Sequence, residues 1–164
     1  MIGRHLRVGA PSPLPITGTL GGGAGGECSL GVEDKLLGGS PYWHLPFVQN
    51  GINYVSMAGR DVTSYNFTGC IMATYKDGAD VRVCHVSTGD GQDCKAAWDL
   101  IKGRAVNVFQ FKPSDFIEAN GAAFLGCYGL ITADLQTYSI TVVNNAVQGG
   151  GAKIAAVTKA HLLR

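Results

Sequence analysis

From about position 50 onward the chain breaks into short apolar runs of strand length separated by polar or glycine-rich punctuation. Ile52, Tyr54, Val55 and Met57 predict a strand over 52–58 with a phase shift, closed by Gly59. Two further runs, 70–76 and 79–86, flank Asp77-Gly78, a strong short-range hairpin signal. With Asp77-Gly78 as the loop, Lys76 pairs with Ala79 and Cys70 faces His85. With a loop running from Asp77 to Asp80, Cys70 stands opposite Ser87 and His85 becomes its diagonal neighbour. In either register Cys70, Met72 and Thr74 share a face with Val81, Val83 and His85, and Cys84 points the other way.

Beyond the hairpin the period changes. Cys94, Ala97, Trp98 and Ile101 fall on one helical face, with Asp90 or Asp93 as the capping residue and Gly103 as the stop. The pattern then returns to strands at 105–112, 122–133 and 137–144, with one helical turn or a loop at 114–118. A last strand, preferred to a helix, covers 152–163 after the glycines at 149–151. Arg60 to Phe67 reads as a polar connection, and Pro41 to Phe47 as a bent or edge segment carrying Tyr42, Trp43 and Phe47.

Residues 1–40 form a Gly/Pro-rich arm that either lies along the domain or stays mobile, and 41–164 form the domain that holds the candidate chemistry. Five to seven strands with one helix give the fold class α+β, with a β-sandwich-like core or half-barrel of mixed or antiparallel strands and one or two flanking helices.

Charge removes whole classes of partner. The 164 residues carry a formal charge of +1, and 15% are charged, so nothing draws the chain electrostatically to nucleic acid or an anionic membrane. No apolar run reaches the roughly 18 residues of a membrane span. The first fifteen residues lack the apolar stretch of a cleavable secretory signal. Five cysteines without a CxxC pair favour reduced thiols over a disulfide framework, and no set of four ligands at zinc spacing is present.

Cys70 and His85 are then the candidate chemistry. A cysteine nucleophile must be partly exposed and readily deprotonated, and a nearby histidine is its usual activator. Thr68-Gly69 ahead of Cys70 allows close approach of substrate, and the Cys70 amide is a candidate oxyanion donor. The approach segment holds Asp61, Thr63, Ser64 and Asn66, any of which can orient His85. An ordinary hairpin with a buried thiol and a satisfied imidazole is the plain alternative. His44, between Trp43 and Leu45, reads as a packed histidine, and Cys84 and Cys94 as packing.

Phe67-Thr68-Gly69-Cys70, with fourteen residues before His85, resembles the hydrophobic-Ser/Thr-Gly-Cys and distal His signature of bacterial toxin glutamine deamidases. These are the catalytic domains of the cytotoxic necrotizing factor and Burkholderia lethal factor type. Leu45-Pro46-Phe47 and Gln49 extend the resemblance, which covers roughly residues 43–88, and Thr68 stands where Ser is typical. It implies a β-sandwich with a Cys-His pair at one rim and conversion of glutamine to glutamate on a host protein. Cys70 matches the nucleophile and His85 the general base and acid. The third element, commonly a backbone carbonyl, falls by spacing on Ser64 or its neighbour Thr63. The implied protein is a toxin or effector, secreted or translocated into a host cell without a cleavable signal, acting in a reducing cytosol and needing no cofactor. Two other readings stand beside it: a cysteine peptidase or other amidase, and a non-catalytic β-rich binding module with Tyr42, Trp43 and Phe47 as its contact surface.

Overall fold

The computed structural model describes residues 2–89, 94–145 and 151–160. Its architecture is α+β: a five-stranded and a six-stranded sheet, both mixed, form a β-sandwich-like core flanked by one α-helix. The strands are β1 (Glu27–Cys28), β2 (Glu33–Leu37), β3 (Ser40–Leu45), β4 (Ile52–Ser56), β5 (Asp61–Tyr65), β6 (Ile71–Asp77) and β7 (Asp80–Val86). Helix α1 (Lys95–Arg104) follows, then β8 (Val106–Phe111), β9 (Phe124–Ile131), β10 (Thr137–Asn144) and β11 (Ala152–Lys159). One sheet has the order β1-β4-β7-β6-β8, the other β11-β10-β9-β5-β3-β2. Among the strands of the described residues, β1/β4 and β3/β5 pair in parallel and the other pairs are antiparallel.

Alternation along the strands divides the apolar residues into three layers. Leu45, Val62, Phe67, Met72, Val83 and Phe111 fill the space between the sheets. On the outer face of the five-stranded sheet, Ile71, Ala73, Tyr75, Cys84 and Val86 lie under Trp98 and Ile101 of α1. The outer face of the six-stranded sheet is covered by the amino-terminal segment, whose Ile2, Leu6 and Leu14 pack on Tyr128, Leu130, Ile140 and Ile154. The same segment bonds to the outer edge of β11, with Gly9 N–H donating to the Ile154 carbonyl at 2.8 Å and Ser12 N–H to the Ala152 carbonyl at 2.9 Å. Edge protection and core cover come from one stretch of chain.

Eleven strands among the described residues exceed the expected five to seven. The largest correction is Arg60 to Phe67, which is mainly a buried central strand rather than a polar connection. Its polar side chains are satisfied from far away in sequence: Asp61 accepts from the Ile2 and Ala133 N–H groups at 2.8 Å each, and Thr63 Oγ1 lies 2.8 Å from His44 Nδ1. Pro41–Phe47 is likewise corrected, since β3 runs inside the sheet between β5 and β2. The aromatic contact surface proposed there does not form. Tyr42 is buried, Trp43 donates to the Met57 carbonyl under Arg60, and Phe47 packs on His85. The proposed caps Asp90 and Asp93 lie outside the described residues, as do residues 146–150, which include two of the three glycines at 149–151, and positions 161–163 of the last expected strand; Cys94 occupies the α1 N-cap position.

Candidate active site

The hairpin takes the second of its two expected registers, the one with Asp77 to Asp80 as the loop and His85 diagonal to Cys70, and not the directly opposed one. Asp77 pairs with Asp80 and Met72 with His85, so the loop is Gly78-Ala79 rather than Asp77-Gly78. Gly78 has φ 63° and Ala79 has no positive φ, the pattern of a type II′ turn with glycine first. Arg82 favours this register by holding both flanking carboxylates, Asp77 at 3.0 Å and Asp80 at 2.8 Å. Cys70, one step before β6, is therefore diagonal to His85 on the same inter-sheet face rather than directly opposite. Diagonal neighbours of this kind stand about 7–8 Å apart along the backbone.

His85 is fully buried at 0% exposure, and its surroundings are specific. Phe67 stacks on its ring with centroids 4.0 Å apart and planes 9° from parallel, and Phe47 packs at 5.1 Å on a tilt. Its Nδ1 lies 2.7 Å from Ser64 Oγ, which donates to the Leu45 carbonyl at 2.6 Å. Since the only hydroxyl proton of Ser64 is committed to Leu45, Ser64 must accept from His85, which fixes the Nδ1–H tautomer through the hydrogen-bond network. The other nitrogen, Nε2, is a buried acceptor with no partner among the described residues. Burial, with a smaller push from His44, drives the His85 pKa down to about 3. The imidazole is neutral at rest.

His44 makes an instructive contrast. It is equally buried, yet Thr63 and Thr17 satisfy both ring nitrogens at 2.8 and 3.1 Å. A packed histidine in this core has two partners, and His85 has one.

Cys70 is 8% exposed and forms the wall of a cleft of about 290 Å³ with Thr68, Gly69, Thr88, Gly89, Lys95 and Lys112. Burial raises its thiol pKa, and the neighbouring Thr88 backbone and hydroxyl, as hydrogen-bond donors to the ionised form, pull it back. This differs from the exposed, easily ionised thiol expected of the position. Gly69, just ahead of it, has φ 139°, a conformation that side-chain-bearing residues rarely adopt, with open space where a Cβ would point. Cys84 and Cys94 are buried beneath and beside α1, and Cys127 sits in the inter-sheet layer.

Cys70, His85 and Ser64 are therefore brought to one end of the sandwich, Ser64 from the six-stranded sheet and the other two from the hairpin of the five-stranded sheet. Two participants were not among the candidates. The Leu45 carbonyl escapes any side-chain pattern. Thr88 was accessible, because extending the observed register by two pairs beyond Ile71 and Val86 sets Gly69 against Thr88. No family model, characterised protein or solved structure matches this chain.

Proposed function

We propose that this protein is a cysteine-dependent carboxamide hydrolase that converts a glutamine side chain of a host protein to glutamate, as the resembled toxin deamidases do. The observation that carries the reading is the His85 imidazole, held in one tautomer by Ser64 with an unpartnered Nε2 on the face it shares with Cys70. Leaving a buried acceptor unpaired costs on the order of 1–3 kcal/mol, which a purely structural histidine such as His44 avoids.

With the thiol pKa raised and the imidazole pKa lowered, the resting pair is neutral, and proton transfer accompanies attack rather than preceding it. Cys70 Sγ bonds to the amide carbon as its proton passes to His85 Nε2. The carbonyl oxygen becomes an oxyanion that backbone N–H groups of the Thr68-Gly69-Cys70 turn receive. The carbon–nitrogen bond then breaks, and His85 returns the proton to the departing ammonia. Water, deprotonated by His85, attacks the thioester and releases the carboxylate and the Cys70 thiol. While charged, the imidazolium is stabilised by the Ser64 and Leu45 relay and by the face of Phe67.

The complete burial of His85 and the raised Cys70 pKa favour a second reading, a non-catalytic β-sandwich binding module. One experiment separates the two. Purified protein and its Cys70→Ser variant are incubated with host-cell cytosolic protein, with ammonia release and Gln-to-Glu conversion read by mass spectrometry. Conversion by the wild type alone supports the hydrolase, equal signals remove Cys70 from the mechanism, and none from either supports the binding module.

A further inference from the structure

We propose that Thr88 is a positioning residue for Cys70, moving its hydroxyl donation from the Gly69 carbonyl to the Cys70 sulfur as the thiolate forms. This rests on the reading of Cys70 as the nucleophile, and its test does not require a substrate.

A thiolate usually draws its stability from an adjacent imidazolium. Here the imidazole is neutral, sealed between Phe47 and Phe67, so the negative charge that develops on Cys70 falls to the other groups of its cleft, the Lys95 and Lys112 side chains at its rim and the hydrogen-bond donors of Thr88. Thr88 is placed to take part. It lines the same cleft as Cys70, is only half-buried, and follows β7 where the extended register sets it across from Gly69. Its Oγ1 donates to the Gly69 carbonyl at 3.0 Å, which pins the peptide unit leading into Cys70. The Thr88 backbone and hydroxyl are also the groups that oppose the burial-driven rise of the thiol pKa.

A hydroxyl has a single proton to give. At rest it goes to Gly69, and against a neutral thiol there is little reason to move it. Once Sγ carries negative charge, a charge-assisted bond outweighs a neutral one by about a factor of two, and rotation about one side-chain bond redirects the proton. Gly69 lines the cleft, so water or substrate entering it can replace the hydroxyl that Gly69 gives up. The same hydroxyl therefore holds the loop before attack and stabilises sulfur when it ionises or departs from the thioester.

The test is the pH dependence of iodoacetamide alkylation at Cys70, followed on the Cys70 peptide by mass spectrometry in wild type, Thr88→Val, Thr88→Ala and Thr88→Ser. Circular dichroism confirms that each variant is folded. The expected result is a rate at pH 8 about tenfold lower in the Val and Ala variants, with the titration displaced to higher pH and the Ser variant close to wild type. The two hydroxyl-free variants differ in bulk, so agreement between them excludes a steric cause and a folding failure of one leaves the other to decide. Unchanged titration in both overturns the proposal, as does faster alkylation at every pH with the midpoint unmoved, which assigns Thr88 to shielding alone. A displaced titration in a protein that deamidates nothing keeps the role of Thr88 and defeats the functional reading instead.

Discussion

Ser64 Oγ and His85 Nδ1 meet 2.7 Å apart, and they come from different sheets, β5 and β7. The contact joins the two layers of the sandwich and fixes the imidazole tautomer in the same bond. Ser64→Ala leaves a buried N–H without an acceptor and a Leu45 carbonyl without its donor. It is expected to lower stability by about 1–3 kcal/mol and glutamine hydrolysis by about tenfold to a hundredfold. Urea unfolding and kcat/KM measure the two effects. Nitrogen NMR of His85 supplies a third, because the variant should populate both neutral tautomers where the wild type shows one.

Acid should weaken the fold in a window set by two histidines. Burial lowers the pKa of His85 to about 3 and that of His44 to about 4, against about 6.5 in an unfolded chain. Between those limits the unfolded state binds protons that the folded state refuses. Stability is therefore full above pH 6.5 and is lost as pH falls, at up to about 2.7 kcal/mol per unit for the pair. Asp80, whose pKa Arg82 holds below the ordinary carboxylate value, adds its own loss only at lower pH. Denaturant midpoints between pH 7.5 and 5 should drop steeply, with a proton uptake on unfolding approaching two near pH 5. Uptake near zero means that the histidines titrate normally and are not sealed.

What the sequence made legible was local. Strands β8, β9 and β10 followed from apolar patterning and turn residues, β11 was preferred to a helix although its stretch alternates poorly, and the inner and outer faces of the hairpin followed from the pleat whichever register held. What it hid was non-local. Asp61, Thr63 and Ser64 read as a solvated connection because their partners lie in Ile2, Ala133, His44, Leu45 and His85, far away along the chain. The register turned on whether Gly78 was the second or the first turn residue, and the Arg82 clamp on Asp77 and Asp80 is invisible to a turn rule. Spacing, through the resemblance and not through the pattern of the strand, pointed to a backbone carbonyl at Ser64 or Thr63, whereas the contact with His85 is made by the Ser64 hydroxyl.

Gly69 carries a conformational demand rather than a spatial one. Nothing lies within 4 Å of a Cβ built there, but its φ is 139°. Gly69→Ala should therefore cost about 1–3 kcal/mol through backbone strain. If the loop relaxes to avoid that strain, the Cys70 sulfur moves with it. The expected signature is a modest fall in Tm with a disproportionate loss of hydrolysis. A variant with a wild-type rate would show that the Gly69 geometry is not needed by the nucleophile.

Gly129 carries the opposite demand. It lies on β9 in the sheet facing the hairpin, and a Cβ there would overlap Met72 Sδ and come within 3.2 Å of Phe67 Cε2 and 3.0 Å of Pro113 Cγ. Met72 is the direct cross-strand partner of His85, and Phe67 is the ring stacked on it. The missing side chain thus sets the separation of the sheets where the imidazole is held. Gly129→Ala should destabilise by about 1–3 kcal/mol through overpacking, and Met72→Ala by about 2–5 kcal/mol through a cavity. Because the added methyl occupies part of the space that Met72 vacates, the double variant should be more stable than the sum of the two losses implies, by about 1 kcal/mol or more. Urea denaturation of the four proteins closes this cycle. Strict additivity would mean that Gly129 and Met72 are not in contact and that the sheets meet differently at this end, taking with them the packing that fixes His85.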